Sequence, residues 1–158
     1  MQLTTNFTLS EALEWHRHQP ISQADVQRLR AWIDQTLSDR IKANITAVAH
    51  DLQSIRNAVN AAFPAYKGRI GIRPISWYRP RQWELHRNRS GASEHIHGHA
   101  VDFIAVNVTP QDYPKVMLWV WNHLNASGGY NGGLARLITG NRWSFIHIDK
   151  GRKRRWEY

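Results

Sequence analysis

A chain of 158 residues, 42% hydrophobic with eight tryptophans, is long enough to bury a core of its own and too apolar to be disordered. The absence of cysteine excludes disulfides, a thiolate zinc site and a thiol nucleophile. A formal net charge of +9 favours a polyanionic partner such as nucleic acid, anionic lipid or an anionic cell wall.

Residues 1–158 read as a single domain without internal repeats or low-complexity linkers. Met1–Phe7 lacks the basic and apolar regions of a secretory signal, and no run approaches the roughly 20 apolar residues of a membrane span. Synthesis in the cytosol without a signal peptide is therefore expected. Thr8 and Glu11 form a capping box, with Phe7 as its staple, and open a short helix to about Trp15. Ser22 to Asp25 offers the next cap, before Val26, Leu29, Ile33 and Leu37 at helical spacing. Apolar residues from Ile41 to Phe63 recur every three or four positions, which predicts a long amphipathic helix ending near Pro64. Lys67-Gly68 punctuates. Ile70, Ile72 and Ile75 mark a strand running into Trp77-Tyr78-Arg79. The polar stretch from Arg81 to Gly91 reads as a surface loop. Ala100 to Val106 reads as a second strand. Thr109-Pro110-Gln111-Asp112 reads as a helix start, with Val116, Met117, Val120, Trp121 and Leu124 as the buried face and Ser127-Gly128-Gly129 as the stop. Leu134–Thr139 and Arg142–Ile148, joined by Gly140-Asn141, read as a hairpin. Lys150–Arg155 begins a basic tail, 150–158, either solvated or in contact with a polyanion. Helices first and strands later predict an α+β fold, with a small, mostly antiparallel sheet covered by the N-terminal helices.

The chemistry concentrates in Ser93–Asp102, where His95, His97, His99 and Asp102 fall within ten residues at the mouth of a strand. Imidazole and carboxylate are zinc ligands, and a catalytic zinc takes three from the protein. His95 and Asp102 supply two, and His147, in an otherwise apolar strand, is the best source of the third. If residues 95–99 were extended, His95, His97 and His99 would share a face and form a site alone; Gly98 argues for a turn instead. His16, His18, His50, His86 and His123 show no partner pattern. Trp77, Tyr78, Trp83 and Trp143 flank the site in sequence; core packing is their default, and Trp83, in the polar stretch, is the one expected to meet a substrate.

Ser93-x-His95-x-x-Gly98-x-Ala100-x-Asp102 resembles the SxHxxGxAxD motif of the M15 zinc peptidases, the D-alanyl-D-alanine carboxypeptidase and peptidoglycan endopeptidase group. Ile75–Pro80 resembles that family's SGYR strand end, and Ser90-Gly91-Ala92 its approach to the first ligand. Asn6–Glu11 and Phe145–Asp149 resemble the opening and the closing ligand strand of its M15_3 branch. The resemblance implies an M15/Hedgehog-like architecture, Zn2+ bound by His95, Asp102 and His147, and hydrolysis of peptidoglycan stem peptides. It also implies that Arg79 grips substrate or steadies the oxyanion; a surface ion pair is the alternative. Ser93, His97, His99 and Trp83 are the further candidates for substrate contact. Many members carry an acid three residues before the last histidine ligand. Here that residue is Ser144, so Asp149 is the nearest substitute base, or else a carboxylate that orients a ligand. A monomeric enzyme acting on the cell wall, released at lysis as phage endolysins are, is the expectation. A zinc-containing but non-catalytic wall-binding or phage structural protein is the alternative. No nucleic-acid module is recognisable.

Overall fold

Three helices begin where a hydroxyl accepts from a free backbone N–H in the first turn. In the computed structural model, which describes all 158 residues, Thr8 and Glu11 close the capping box of α1 (Leu9–Leu13). Ser22 caps α2 (Gln23–Thr36) and Ser38 caps α3 (Asp39–Ala62). Each such cap contributes about 1 kcal/mol. A 3₁₀ turn, Trp15–His18, follows α1, so the first helix ends two residues earlier than expected. The strands are β1 (Gly71–Ser76), β2 (Ala100–Val106), β3 (Gly133–Thr139), β4 (Arg142–Asp149) and β5 (Arg154–Glu157). They form one sheet in the order β1-β2-β4-β3-β5. All neighbours are antiparallel except β3 and β5. The fold is therefore α+β with a small mixed sheet. No helix is long and apolar enough to cross a membrane.

Alternation along the strands divides the sheet into two faces. Val101, Phe103, Leu134, Ile146 and Ile148 belong to the hydrophobic core. Against them lie α3, through Ile45, Val48, Leu52, Ile55 and Val59, and α5 (Tyr113–Asn125), through Val116, Met117, Val120, Trp121 and Leu124. The other face carries a transverse row of directly opposed residues, Ser76, Asp102, His147, Ala135 and Trp156, one from each strand. Register thus places Asp102 and His147 side by side without help from any loop.

Three expectations are corrected. The stretch after Pro80 is not all surface loop: α4 (Arg81–His86) buries Trp83 against Trp15 and buries Glu84 in ion pairs. With two inward residues in six, it has no periodicity to detect. The helix expected from Pro110 starts at Tyr113, because Thr109 O first accepts from Asp112 N and Tyr113 N in a turn. The basic tail is not a solvated extension. Its Arg154–Glu157 segment is the edge strand β5, and Arg155 donates to the carbonyls of Gly132 and Tyr130 and to Asn125 Oδ1.

Candidate metal centre

His95 enters the site on a 3₁₀ turn, Glu94–His97, whose first N–H groups are met by Ser93 Oγ accepting from His95 N. Gly98 ends that turn at φ 72°. A Cβ there would stand 2.9 Å from Ile45 Cγ1 and 3.1 Å from Ile41 O, so both conformation and close approach require glycine. The turn rules out an extended three-histidine strand. It sends His97 and His99 elsewhere: His97 borders a separate groove beside Ile96 and Arg81, and His99 Nδ1 lies 3.2 Å from Glu94 Oε2. Neither lines the cleft onto which Asp102 opens.

His95, Asp102 and His147 are all buried, and their ligand atoms lie within 4.8 Å of one another. His95 Nδ1 donates to Trp77 O at 2.7 Å, which leaves the Nε2 lone pair directed inward. Nε2 stands 3.4 Å from Asp102 Oδ1, is buried, and has no hydrogen-bond partner. His147 Nδ1 lies 2.7 Å from the same Oδ1. Around a tetrahedral zinc with bonds near 2.0–2.1 Å, neighbouring ligand atoms are about 3.3 Å apart. The observed spacings bracket that value, and a cation between the three would satisfy the orphaned Nε2. The donor set, two imidazoles and a carboxylate, is one that zinc accepts. A buried His95-Asp102-His147 group that can hold a metal ion is therefore present.

The electrostatics agree with a cation site. Burial and the facing Arg79 lower His95 to about 4, so it is neutral and able to ligate. Burial alone would raise Asp102, but His95 and the hydrogen bond to His147 outweigh it and hold the carboxyl well below the usual range. Burial opposes charge on His147, yet hydrogen bonds to Asp102 and Asp149 win and raise it. An imidazole held between two carboxylates favours positive charge, so a metal would take the place of the proton at Nδ1.

Asp149 lies at the opposite edge of the His147 ring, its Oδ2 3.1 Å from Nε2. It is fully buried and also accepts from Gly151 N at 2.8 Å and Arg154 at 3.1 Å. Gly133 makes room for it, since a Cβ there would meet Asp149 Oδ2 at 2.1 Å. Burial raises its carboxyl, but these hydrogen bonds bring it down to about 2. Its contacts are those of a carboxylate that orients an imidazole. Ser144 pairs with Thr139 Oγ1 at 2.9 Å, so no acid replaces it at that strand position.

Arg79 follows β1, and its side chain is only 11% exposed, which excludes a surface ion pair. Its NH1 donates to Ser76 Oγ at 2.9 Å and lies 3.8 Å from Asp102 Oδ2. Its Nε lies 2.8 Å from Glu84 Oε1. Arg79, Ser93, Trp83 and Asp102 all border a cleft of about 690 Å³. Trp83 contributes a wall rather than a free side chain, being 3% exposed. Trp77 and Tyr78 are core residues. Glu84, Ser76 and Tyr158 are among the cleft residues that escaped the sequence reading. Glu84 had no motif around it. Ser76 was visible only as the small residue of a strand end. Tyr158 reaches the cleft because β5 carries it past His147, with ring centroids 6.2 Å apart. Comparison with protein-family models, with curated proteins and with solved structures finds no match to this chain.

Proposed function

We propose that the chain is a zinc-dependent peptidase that hydrolyses peptide bonds in peptidoglycan stem peptides or their cross-links, with an M15/Hedgehog-like architecture. The observation that carries this is the buried His95-Asp102-His147 trio, with an unpartnered His95 Nε2, beside a cleft that also holds Arg79. The resemblance of Ser93–Asp102 to the M15 motif narrows a metal site to a peptidase. Zinc, when bound, supplies a Lewis acid and lowers the pKa of bound water to about 7. His95 Nε2, Asp102 and His147 Nδ1 would hold it. The Trp77 carbonyl and Asp149 keep the two imidazoles in the ligating tautomer, as orienting partners of metal ligands do. Arg79, held by Ser76 and Glu84, offers N–H groups to a substrate carboxylate or to negative charge developing on the carbonyl oxygen. Asp149 is assigned to orientation rather than to proton abstraction.

A second reading, a zinc-containing wall-binding protein without turnover, draws on one observation: Asp149 is fully engaged and Ser144 is not an acid, so neither offers a free base. Incubating the zinc-loaded protein with purified peptidoglycan separates the two. New amino groups released by the parent and not by Asp102→Ala support the peptidase. Co-sedimentation with the wall and no new amino groups supports the binder.

A further inference from the structure

The cleft holds a hydrogen-bond donor that neither the ligand trio nor Arg79 uses. Of the five tyrosines, four spend their phenols inside the fold. Tyr66 donates to Asp112 Oδ2 at 2.7 Å, Tyr78 pairs with Thr36 Oγ1 at 2.7 Å, Tyr113 donates to the Trp143 carbonyl at 3.3 Å, and Tyr130 donates to Asp51 Oδ2 at 3.0 Å. The Tyr158 phenol donates to no protein group, and Tyr158 is the one tyrosine that borders the cleft. Its position is fixed from two sides. Tyr158 N donates to Arg136 O at 3.1 Å, which carries the β3–β5 pairing one residue past β5. Its ring meets Phe145 and His147, which share one face of β4, edge-on at centroid distances of 5.4 and 6.2 Å. Arg79 stands at the end of the cross-strand row where Ser76 and Asp102 lie, and Tyr158 at the end where His147 and Trp156 lie. Burial of the phenol and the Asp102 carboxylate both raise its pKa, against Arg79, so the hydrogen stays in place at neutral pH.

We propose that Tyr158 is a second catalytic hydrogen-bond donor, standing across the ligand trio from Arg79 and serving the oxygen of the carbonyl under attack. This role rests on the peptidase reading, since it needs a peptide carbonyl at the trio. When water adds to that carbonyl, a C–O bond forms, the π pair of C=O moves onto the carbonyl oxygen, and negative charge gathers there. Tyr158 keeps its own proton throughout; only its hydrogen bond to that oxygen strengthens as the charge grows. Neighbouring strands lie about 4.8 Å apart, so donors held over β2 and β4 flank a single bound group. The ring contacts and the backbone bond to Arg136 hold Tyr158 before substrate arrives, and a donor that need not rearrange is the kind that lowers a barrier. Packing against His147 would be served equally by phenylalanine; the unspent O–H is what distinguishes tyrosine here.

Tyr158→Phe keeps the ring against Phe145 and His147 and removes only the O–H, and two measurements read the loss. The first needs no turnover. Zinc-loaded parent and variant are titrated with a capped phosphinate analogue of Ala-Ala, in which a phosphinate and a methylene replace the peptide C=O and N–H, and binding is followed by tryptophan fluorescence. The phosphinate presents a tetrahedral, negatively charged group, and the variant is expected to bind it about 10–100-fold less tightly, as the loss of one hydrogen bond to a charged oxygen gives. The second is hydrolysis of soluble muropeptides, in which the variant is expected to lose about 10–100-fold in kcat with KM nearly unchanged. Zinc affinity by chelator competition and the melting temperature are expected to match the parent. Equal phosphinate affinity, no phosphinate binding by the parent, or a raised KM with kcat unchanged overturns the donor role. A fall in zinc affinity also overturns it and makes Tyr158 a support for His147. Weaker phosphinate binding by the variant together with no hydrolysis by the zinc-loaded parent sinks the peptidase alone and leaves Tyr158 standing as a donor to a tetrahedral anion.

Discussion

At the scale of single residues, the site is organised by what each polar atom lacks. His95 Nε2 is buried with no partner, whereas the other three ring nitrogens of the trio each have one. Leaving such an atom unsatisfied costs about 1–3 kcal/mol, which a bound cation removes. Asp149 acts one bond further out. Asp149→Asn keeps the shape and weakens the acceptor at His147 Nε2, so zinc affinity is expected to fall about 10–100-fold. Competition with a chromophoric chelator measures it. Unchanged affinity combined with lost turnover would return Asp149 to the role of base. His16 gives a separate test of the electrostatics. Both its ring nitrogens are buried without partners, and burial followed by Arg30 lowers its pKa from 6.5. The unfolded chain therefore takes up a proton that the folded chain refuses. Its contribution is constant above pH 6.5, and stability falls as pH drops below that value. His16→Phe is expected to flatten the decline below about pH 6.5, by at most about 1.4 kcal/mol per pH unit. Melting curves across that range check this, and parallel curves for parent and variant would contradict it.

At the scale of elements, legibility followed periodicity and length. The α3 helix and the buried face of α5 repeat an apolar residue every three or four positions over 24 and 13 residues, and they fold as read. The Gly140-Asn141 turn places the β3–β4 hairpin where its residues predict. The α4 helix was invisible because its burial rests on Trp83 and on an acid, Glu84, paired with two arginines that lie before and after it. The β5 strand was invisible because its basic residues look like a solvated tail, yet each finds a specific acceptor. Arg154 meets Asp149, and Arg155 meets three carbonyls and Asn125. Arg155→Ala is consequently expected to lower unfolding free energy by about 1–3 kcal/mol, as removing a charged donor from partly buried carbonyls does. A chemical denaturation midpoint measures it; a change under about 0.5 kcal/mol would mean that β5 is a loose tail after all.

At the scale of the whole molecule, one sheet does two jobs. Its helix-covered face holds the apolar core, and its other face carries the Ser76-Asp102-His147-Ala135-Trp156 row beneath the cleft. The three metal-ligand candidates were legible because two lie in one motif and the third stands in an apolar strand where a histidine is conspicuous. The cleft around them was not, because Glu84, Arg89 and Tyr158 reach it only through tertiary packing. Part of the +9 charge borders the cleft as Arg79, Arg87 and Arg89, while Arg154 and Arg155 hold the fold. The most direct test of a zinc peptidase is digestion of purified peptidoglycan by the protein before chelation, after complete metal removal and after zinc is restored, with products identified by mass. Peptide-bond cleavage that disappears on chelation and returns with zinc is the predicted result. Cleavage that continues unchanged without metal, or no cleavage by the zinc-loaded protein, would contradict it.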